Sequence, residues 1–302
     1  MNAPFDKQGS TLSSAGIDFS GLMDLRVDYA FKLIFGSPES SFLISLLNAV
    51  FANKKFPRIV KSLTVVNPYL EKHSKGDKLS ILDIRALLDD GSAVLVEMHL
   101  YDIGDLTYKT IRSWARAYGE EITSGESYSS QPPVICVAFV NGSIDDGGHS
   151  KIHKCCKIMD IDDRTVFSDA LELHYINIKG VEKMIEEKTE MIEPMLLKWL
   201  AVITEKDIKD KSIIENICKE DEVIEKAVST LARLSGDKIT RQAYQKRLDE
   251  IMLYNMRINE YKRIAEQESQ RAEQESQRAI KAEAEVEKLR MRLVELEAQQ
   301  KQ

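Results

Sequence analysis

A chain of 302 residues holds one large domain or two smaller ones, and a hydrophobic content of 43% supplies a buried core. A net charge of -7 excludes bulk attraction to nucleic acid or anionic membrane and leaves only local basic patches for such contacts. No apolar run reaches the roughly 18 to 20 residues of a membrane helix. The four cysteines, Cys136, Cys155, Cys156 and Cys218, form no CxxC pair. The expectation is a soluble protein of a reducing cytoplasm.

Residues 1–21 are polar and Gly/Ser-rich and read as a flexible leader. Val27, Phe31, Ile34 and Phe35 then recur at helical spacing up to Gly36. Ser37-Pro38-Glu39 reads as the start of a second helix, with Ser at the cap and Pro at the first helical position. IVKSLTVVNPYL reads as a strand closed by Asn67-Pro68. LSILDIRALLDDGSAVLVEMHL, residues 79–100, supplies two more strands around a turn. TYKTIRSWARAYGEEITSG is a helix ended by Gly125, and PPVICVAFVNG is a buried strand. KCCKIMDI and LELHYINI follow as shorter strands. This order predicts a mixed α/β domain over residues 22–180, a sheet flanked by helices. Residues 181–257 are helical in pattern, and residues 258–302 contain no Gly or Pro.

The hairpin carries Asp83 in its first strand and Glu97 and His99 in its second. A three-residue turn, Asp89-Asp90-Gly91, with Gly91 in the left-handed conformation, pairs Leu88 with Ser92 and hence Asp83 with Glu97. Directly opposed residues share a face, so Asp83, Glu97 and His99 would converge with Arg85 beside them. A two-residue Asp90-Gly91 turn is the rival; it sends Asp83 to the other face. Opposed carboxylates repel, and a divalent cation removes the conflict: Mg²⁺ and Mn²⁺ prefer such hard oxygen ligands. The competing reading is an ordinary wet strand face.

The pieces DYAFKLIFG (28–36), LISLLNAVF (43–51), VVNPYL (65–70), ILDIRA (81–86) and VEMH (96–99) occur in order. YKTIRSWARAYGEEITSGESY (108–128), PVICVAFV (133–140) and LELHYINIKG (171–180) continue the series. Together they resemble the recombination-promoting nuclease and transposase family of the PD-(D/E)XK nuclease superfamily. The resemblance implies a restriction-endonuclease-like mixed sheet over residues 22–180, a helical C-terminal region and a long charged terminal helix. It implies a Mg²⁺- or Mn²⁺-dependent DNA endonuclease acting in recombination, mobile-element activity or defence against foreign DNA. Asp83 and Glu97 fall on the family's metal-binding acids, with the Met98 carbonyl as a further ligand. His99 stands where the superfamily has Lys and this branch has Gln; it would assist the attacking water, or mark a silent member that acts as a DNA-binding or protein-interaction scaffold.

Lys109, Arg112 and Arg116 recur at i, i+3 and i+7 on one helix face. Beside a nuclease-like site this stripe is a candidate contact for DNA phosphates, and otherwise a solvated face. His149-x3-His153-x-Cys155-Cys156 has zinc-ligand residue types, but no second paired cluster follows. The favoured reading puts both histidines at a strand entrance and the two cysteines on opposite strand faces. Trp114, Tyr118 and Tyr128 read as aromatics that pack a helix onto the sheet, with stacking on bases as the alternative, and Trp199 reads as part of a core helix. In the tail, AEQESQR occurs twice in tandem at 265–271 and 272–278. The same seven-residue frame brings Ala279, Val286 and Leu293, with Ala282, Leu289 and Leu296, into a short coiled-coil seam. A homodimer through this helix is the expectation; a frayed charged tail is the alternative.

Overall fold

The computed structural model describes residues 18–37, 39–52, 57–66, 84–100, 106–120, 127–128, 131–142, 152–187 and 192–300, the last seven of these without side chains. Pro38, Asn67, Pro68, Asp83, Gly125 and His149 lie outside the described residues, and so do the roles read for those six residues themselves. Among the described residues no helix is long and apolar enough to cross a membrane.

The first unit, residues 1–245, is built on a six-stranded mixed sheet. Helices α1 (Asp28–Phe35) and α2 (Ser41–Phe51) precede strand β1 (Leu63–Val66). The hairpin β2 (Ile84–Leu88) and β3 (Ala93–His99) leads into α3 (Leu106–Glu120). Strands β4 (Val134–Val140), β5 (His153–Met159) and β6 (Val166–Asn177) complete the sheet. Its order is β1-β2-β3-β4-β6-β5. β3, β4 and β6 run parallel, and β1, β2 and β5 are antiparallel to their neighbours. α3 is the crossover that a parallel β3–β4 pair requires.

Ladder partners assign the two faces. Arg85 opposes Leu95, Leu95 opposes Cys136 and Cys136 opposes Leu173. Glu97, Ala138 and Tyr175 form the next rung of that face. α3 covers it through Leu106 and Ala117, and Trp114 stacks on Tyr118 while donating to the Ala170 carbonyl at 3.2 Å. On the other face Phe139 meets Phe31 of α1, and Phe51 of α2 lies against His174. Strands β3 and β4 are buried along their whole length, as a sheet covered on both sides demands.

The helices after the sheet are α4 (Val181–Glu186), α5 (Pro194–Ile203), α6 (Ser212–Glu220), α7 (Glu222–Gly236) and α8 (Lys238–Gln300). Glu193 caps α5 by accepting from the Leu196 N–H at 2.8 Å, with Pro194 at the first helical position. Trp199 of α5 is fully buried, edge-on to Phe35, with its indole N–H on the Ser45 hydroxyl. Tyr128, by contrast, is exposed. The second helix begins later than Ser37-Pro38-Glu39 predicts: its cap residue is Ser40. The Ser37 hydroxyl donates instead to the Ile34 and Glu39 carbonyls, so it closes α1. Of the sequence-predicted leader, residues 18–21 are described: Phe19 is buried in a short 3-10 turn, and Asp18, Ser20 and Gly21 are exposed.

In the second unit, residues 246–302, the described residues are helical as far as Gln300. Val286, Leu289 and Leu293 in it are exposed.

Candidate active site

The hairpin turn decides what faces what. Gly91 has φ +85°, its N–H donates to the Leu88 carbonyl at 3.0 Å, and Leu88 N–H donates to Ser92 at 2.9 Å. This is the three-residue turn, and the two-residue rival is excluded. Ile84 opposes Val96 and Arg85 opposes Leu95. Asp83, which the sequence pairs with Glu97, lies outside the described residues.

Glu97 and His99 point to the α3 face and are 2% and 6% exposed. His99 Nε2 is 3.0 Å from Glu97 Oε2. Burial pushes the Glu97 carboxyl up, but the His99 hydrogen bond and the Lys109 charge more than offset it and hold it below the usual carboxylate range. An ionised carboxylate only accepts, so His99 carries its proton on Nε2. Its other nitrogen, Nδ1, then accepts, and Lys109 Nζ faces it at 3.5 Å. Lys109 Nζ is also 3.9 Å from Glu97 Oε2.

Glu97 Oε1 is buried and has no partner at hydrogen-bond geometry, although the Ser113 hydroxyl of α3 is near enough to help hold the carboxyl down. A buried anionic oxygen without a partner is costly, and a cation is the group that offsets the cost. This unpartnered carboxylate oxygen is the donor type that a hard divalent ion takes.

The sequence-predicted residues fall into three groups. Glu97, His99 and Lys109 come together. Met98 turns its side chain to the opposite face, where it is buried, so only its backbone belongs near the site. Arg112 and Arg116 are exposed on α3. Arg116 pairs with Glu120 at 3.1 Å, and Glu120 also takes Arg85 at 3.3 Å. The inward reach of Lys109 is not visible in an i, i+3, i+7 stripe, because the stripe does not say which turn of the helix overlies the acid. A second Glu-x-His, Glu172 and His174 on β6, was available as a signal: VEMH and LELH share the spacing.

A mixed sheet with α3 crossing over one face, and a buried glutamate on β3 beside a histidine and a lysine, is consistent with a nuclease-like class. The family model for the PD-(D/E)XK nuclease family transposase matches residues 25–261, and the chain belongs to that family. Comparison with curated proteins and with solved structures gave no match.

Proposed function

We propose that the chain is a metal-dependent endonuclease that hydrolyses phosphodiester bonds of DNA, in recombination, mobile-element activity or defence against foreign DNA. The observation that carries this reading is the buried Glu97 carboxylate, one oxygen held by His99 and the other without a partner. Asp83, Glu97 and the Met98 carbonyl would hold Mg²⁺ or Mn²⁺. When bound, the ion supplies Lewis acidity and lowers the pKa of water. His99 donates to Oε2 and so leaves Oε1 for coordination. Lys109 brings a positive charge to the same place, suited to the charge that develops on a phosphoryl oxygen. Arg112 and Arg116 would receive backbone phosphates outside the site.

One observation favours a second reading, a catalytically silent DNA-binding or protein-interaction scaffold. Both ring nitrogens of His99 are engaged, one by Glu97 and one by Lys109, which leaves no lone pair for a water. Nicking of supercoiled plasmid in Mg²⁺ or Mn²⁺ separates the two. Wild-type protein is expected to nick, and Asp83→Ala and Glu97→Ala proteins are expected not to. Equal nicking by all three rejects the assigned residues. No nicking, with plasmid still retarded in a gel shift, supports the scaffold. His99→Gln is expected to raise activity if His99 weakens the site.

The partner expected at the tail is a second copy, joined through the Val286, Leu289 and Leu293 stripe. Leu289→Glu with Leu293→Glu in the full chain should convert a dimer into a monomer in sedimentation. A monomeric wild type would reject the dimer.

A further inference from the structure

The second Glu-x-His lies on the sheet face opposite Glu97. Glu172 and His174 are 2% and 1% exposed on β6. β5 pairs antiparallel with β6, setting Cys155 directly opposite His174 and Lys157 opposite Glu172. The period of two turns Cys156 to the α3 face and leaves Cys155 with the two β6 side chains. His174 Nε2 is 2.8 Å from Glu172 Oε1 and 4.0 Å from Cys155 Sγ. One donor atom from each of the three residues lies within 4.8 Å of the other two.

The surroundings aim these donors. His153 Nε2 is 2.8 Å from His174 Nδ1, which fixes the ring with Nε2 toward the carboxylate and the thiol. Phe51 packs on the same ring. Lys157 Nζ binds Glu172 Oε2 at 2.8 Å, which leaves Oε1 on the side of His174. Arg58 stands 3.6 Å from Oε2 and is itself paired with Asp90 of the hairpin turn. A histidine ligand whose second nitrogen is held by a neighbour is the usual outer arrangement of a protein metal site.

We propose that Cys155, Glu172 and His174 form a three-ligand site for a borderline-soft divalent transition ion of the Zn²⁺ class. Sulfur, imidazole and one carboxylate oxygen are its donor types, and the set leaves a fourth position open. This chemistry differs from the all-oxygen set at Glu97, so the two sites should not share an ion. Proton balance is simple. Binding removes the proton from the Cys155 thiol, and that proton leaves to solvent. The His174 ring stays neutral, its proton moving from Nε2 to Nδ1, where it is donated to His153 Nε2; the His153 proton moves to its own Nδ1. One proton is released per ion bound, and affinity rises with pH.

The probe is Co²⁺, titrated into the full chain after chelation of adventitious metal. One Co²⁺ per chain should produce a thiolate-to-metal charge-transfer band, displaced by Zn²⁺. Cys155→Ser should abolish the band, while Cys156→Ser and Glu97→Gln should keep it. His153→Phe should weaken Co²⁺ binding by about 10- to 100-fold, as loss of such outer partners does. Circular dichroism of the chelated Cys155→Ser protein should match wild type, which removes misfolding as the cause. No charge-transfer band in wild type, or an undiminished band in Cys155→Ser, overturns the proposal. Failure of plasmid nicking leaves it standing, because its readout does not pass through Glu97.

Discussion

Strands β3 and β6 carry the same three-residue pattern, Glu97-Met98-His99 and Glu172-Leu173-His174, on opposite faces of one sheet. In both, the histidine donates to the glutamate two residues away, at 3.0 Å and 2.8 Å. The third group separates them. On β6 both carboxylate oxygens are taken, one by His174 and one by Lys157. On β3 the lysine stands off at 3.9 Å and Oε1 has no partner. The β6 network is complete without an ion and holds β5 to β6; a soft ion would enter it through the Cys155 thiol. The β3 pair leaves Oε1 without a partner, and the hard ion proposed above would take that place. Equal spacing in sequence thus produces unequal chemistry, because the neighbouring strand or helix supplies the deciding side chain.

The largest effect that would sharpen this contrast is on activity. Glu97→Gln should lower plasmid nicking by roughly 10² to 10³-fold while keeping the fold, since it removes a buried negative charge and little volume. Glu172→Gln should do the reverse. It removes the charge that Lys157 and Arg58 share, and should destabilise the protein by about 3 kcal/mol in urea unfolding. Lys109→Met should lower nicking by about 10-fold or more with unchanged thermal stability, because the side chain is partly exposed and its charge acts at the site.

A pH series tests the β6 network further. Burial pushes the Glu172 carboxyl up, but hydrogen bonds from His174 and Lys157 outweigh it and pull it from 4.5 to about 2. That stabilisation is present above the unfolded value and is lost as pH falls from 4.5 toward 2. Burial, with the neighbouring His174, holds His153 down at about 4 instead of 6.5. Between those values the unfolded chain binds the proton and the folded chain does not, so stability also falls as pH drops from 6.5 to 4. Melting temperature should therefore decline continuously from pH 6.5 to 2. His153→Phe should flatten the upper half of that decline and Glu172→Gln the lower half.

The smallest effect belongs to the turn. Gly91→Ala places a Cβ at φ +85°, with nothing within 4 Å to clash, so only backbone strain is added. The expected cost is about 1 to 2 kcal/mol in denaturant unfolding.

The sequence made the local geometry readable and left the non-local geometry hidden. Gly91 narrowed the hairpin to two registers, because a left-handed glycine fits a two-residue or a three-residue turn, and the Leu88–Ser92 ladder bond decides for the second. The alternation of Cys155 and Cys156 between faces followed from strand period alone. The insertion of β6 between β4 and β5 did not, and with it went the contact of Cys155 with His174, two residues 19 apart in the chain. The start of α2 was misplaced because Ser37 had two uses, capping the next helix or closing the last one, and the Ile34 carbonyl decides for the second. Lys109 was grouped with Arg112 and Arg116 by periodicity, although the fold turns it toward Glu97 and leaves the arginines outside.

The central claim is that two like motifs hold unlike cations, and one crossed titration tests it. Mn²⁺ binding would be followed by its paramagnetic resonance signal, and Co²⁺ binding by its thiolate charge-transfer band, in wild-type, Glu97→Gln and Cys155→Ser proteins. The account predicts that Glu97→Gln loses Mn²⁺ binding and keeps the Co²⁺ band, and that Cys155→Ser does the opposite. Mn²⁺ bound undiminished by Glu97→Gln, or both signals lost together in either variant, would contradict it.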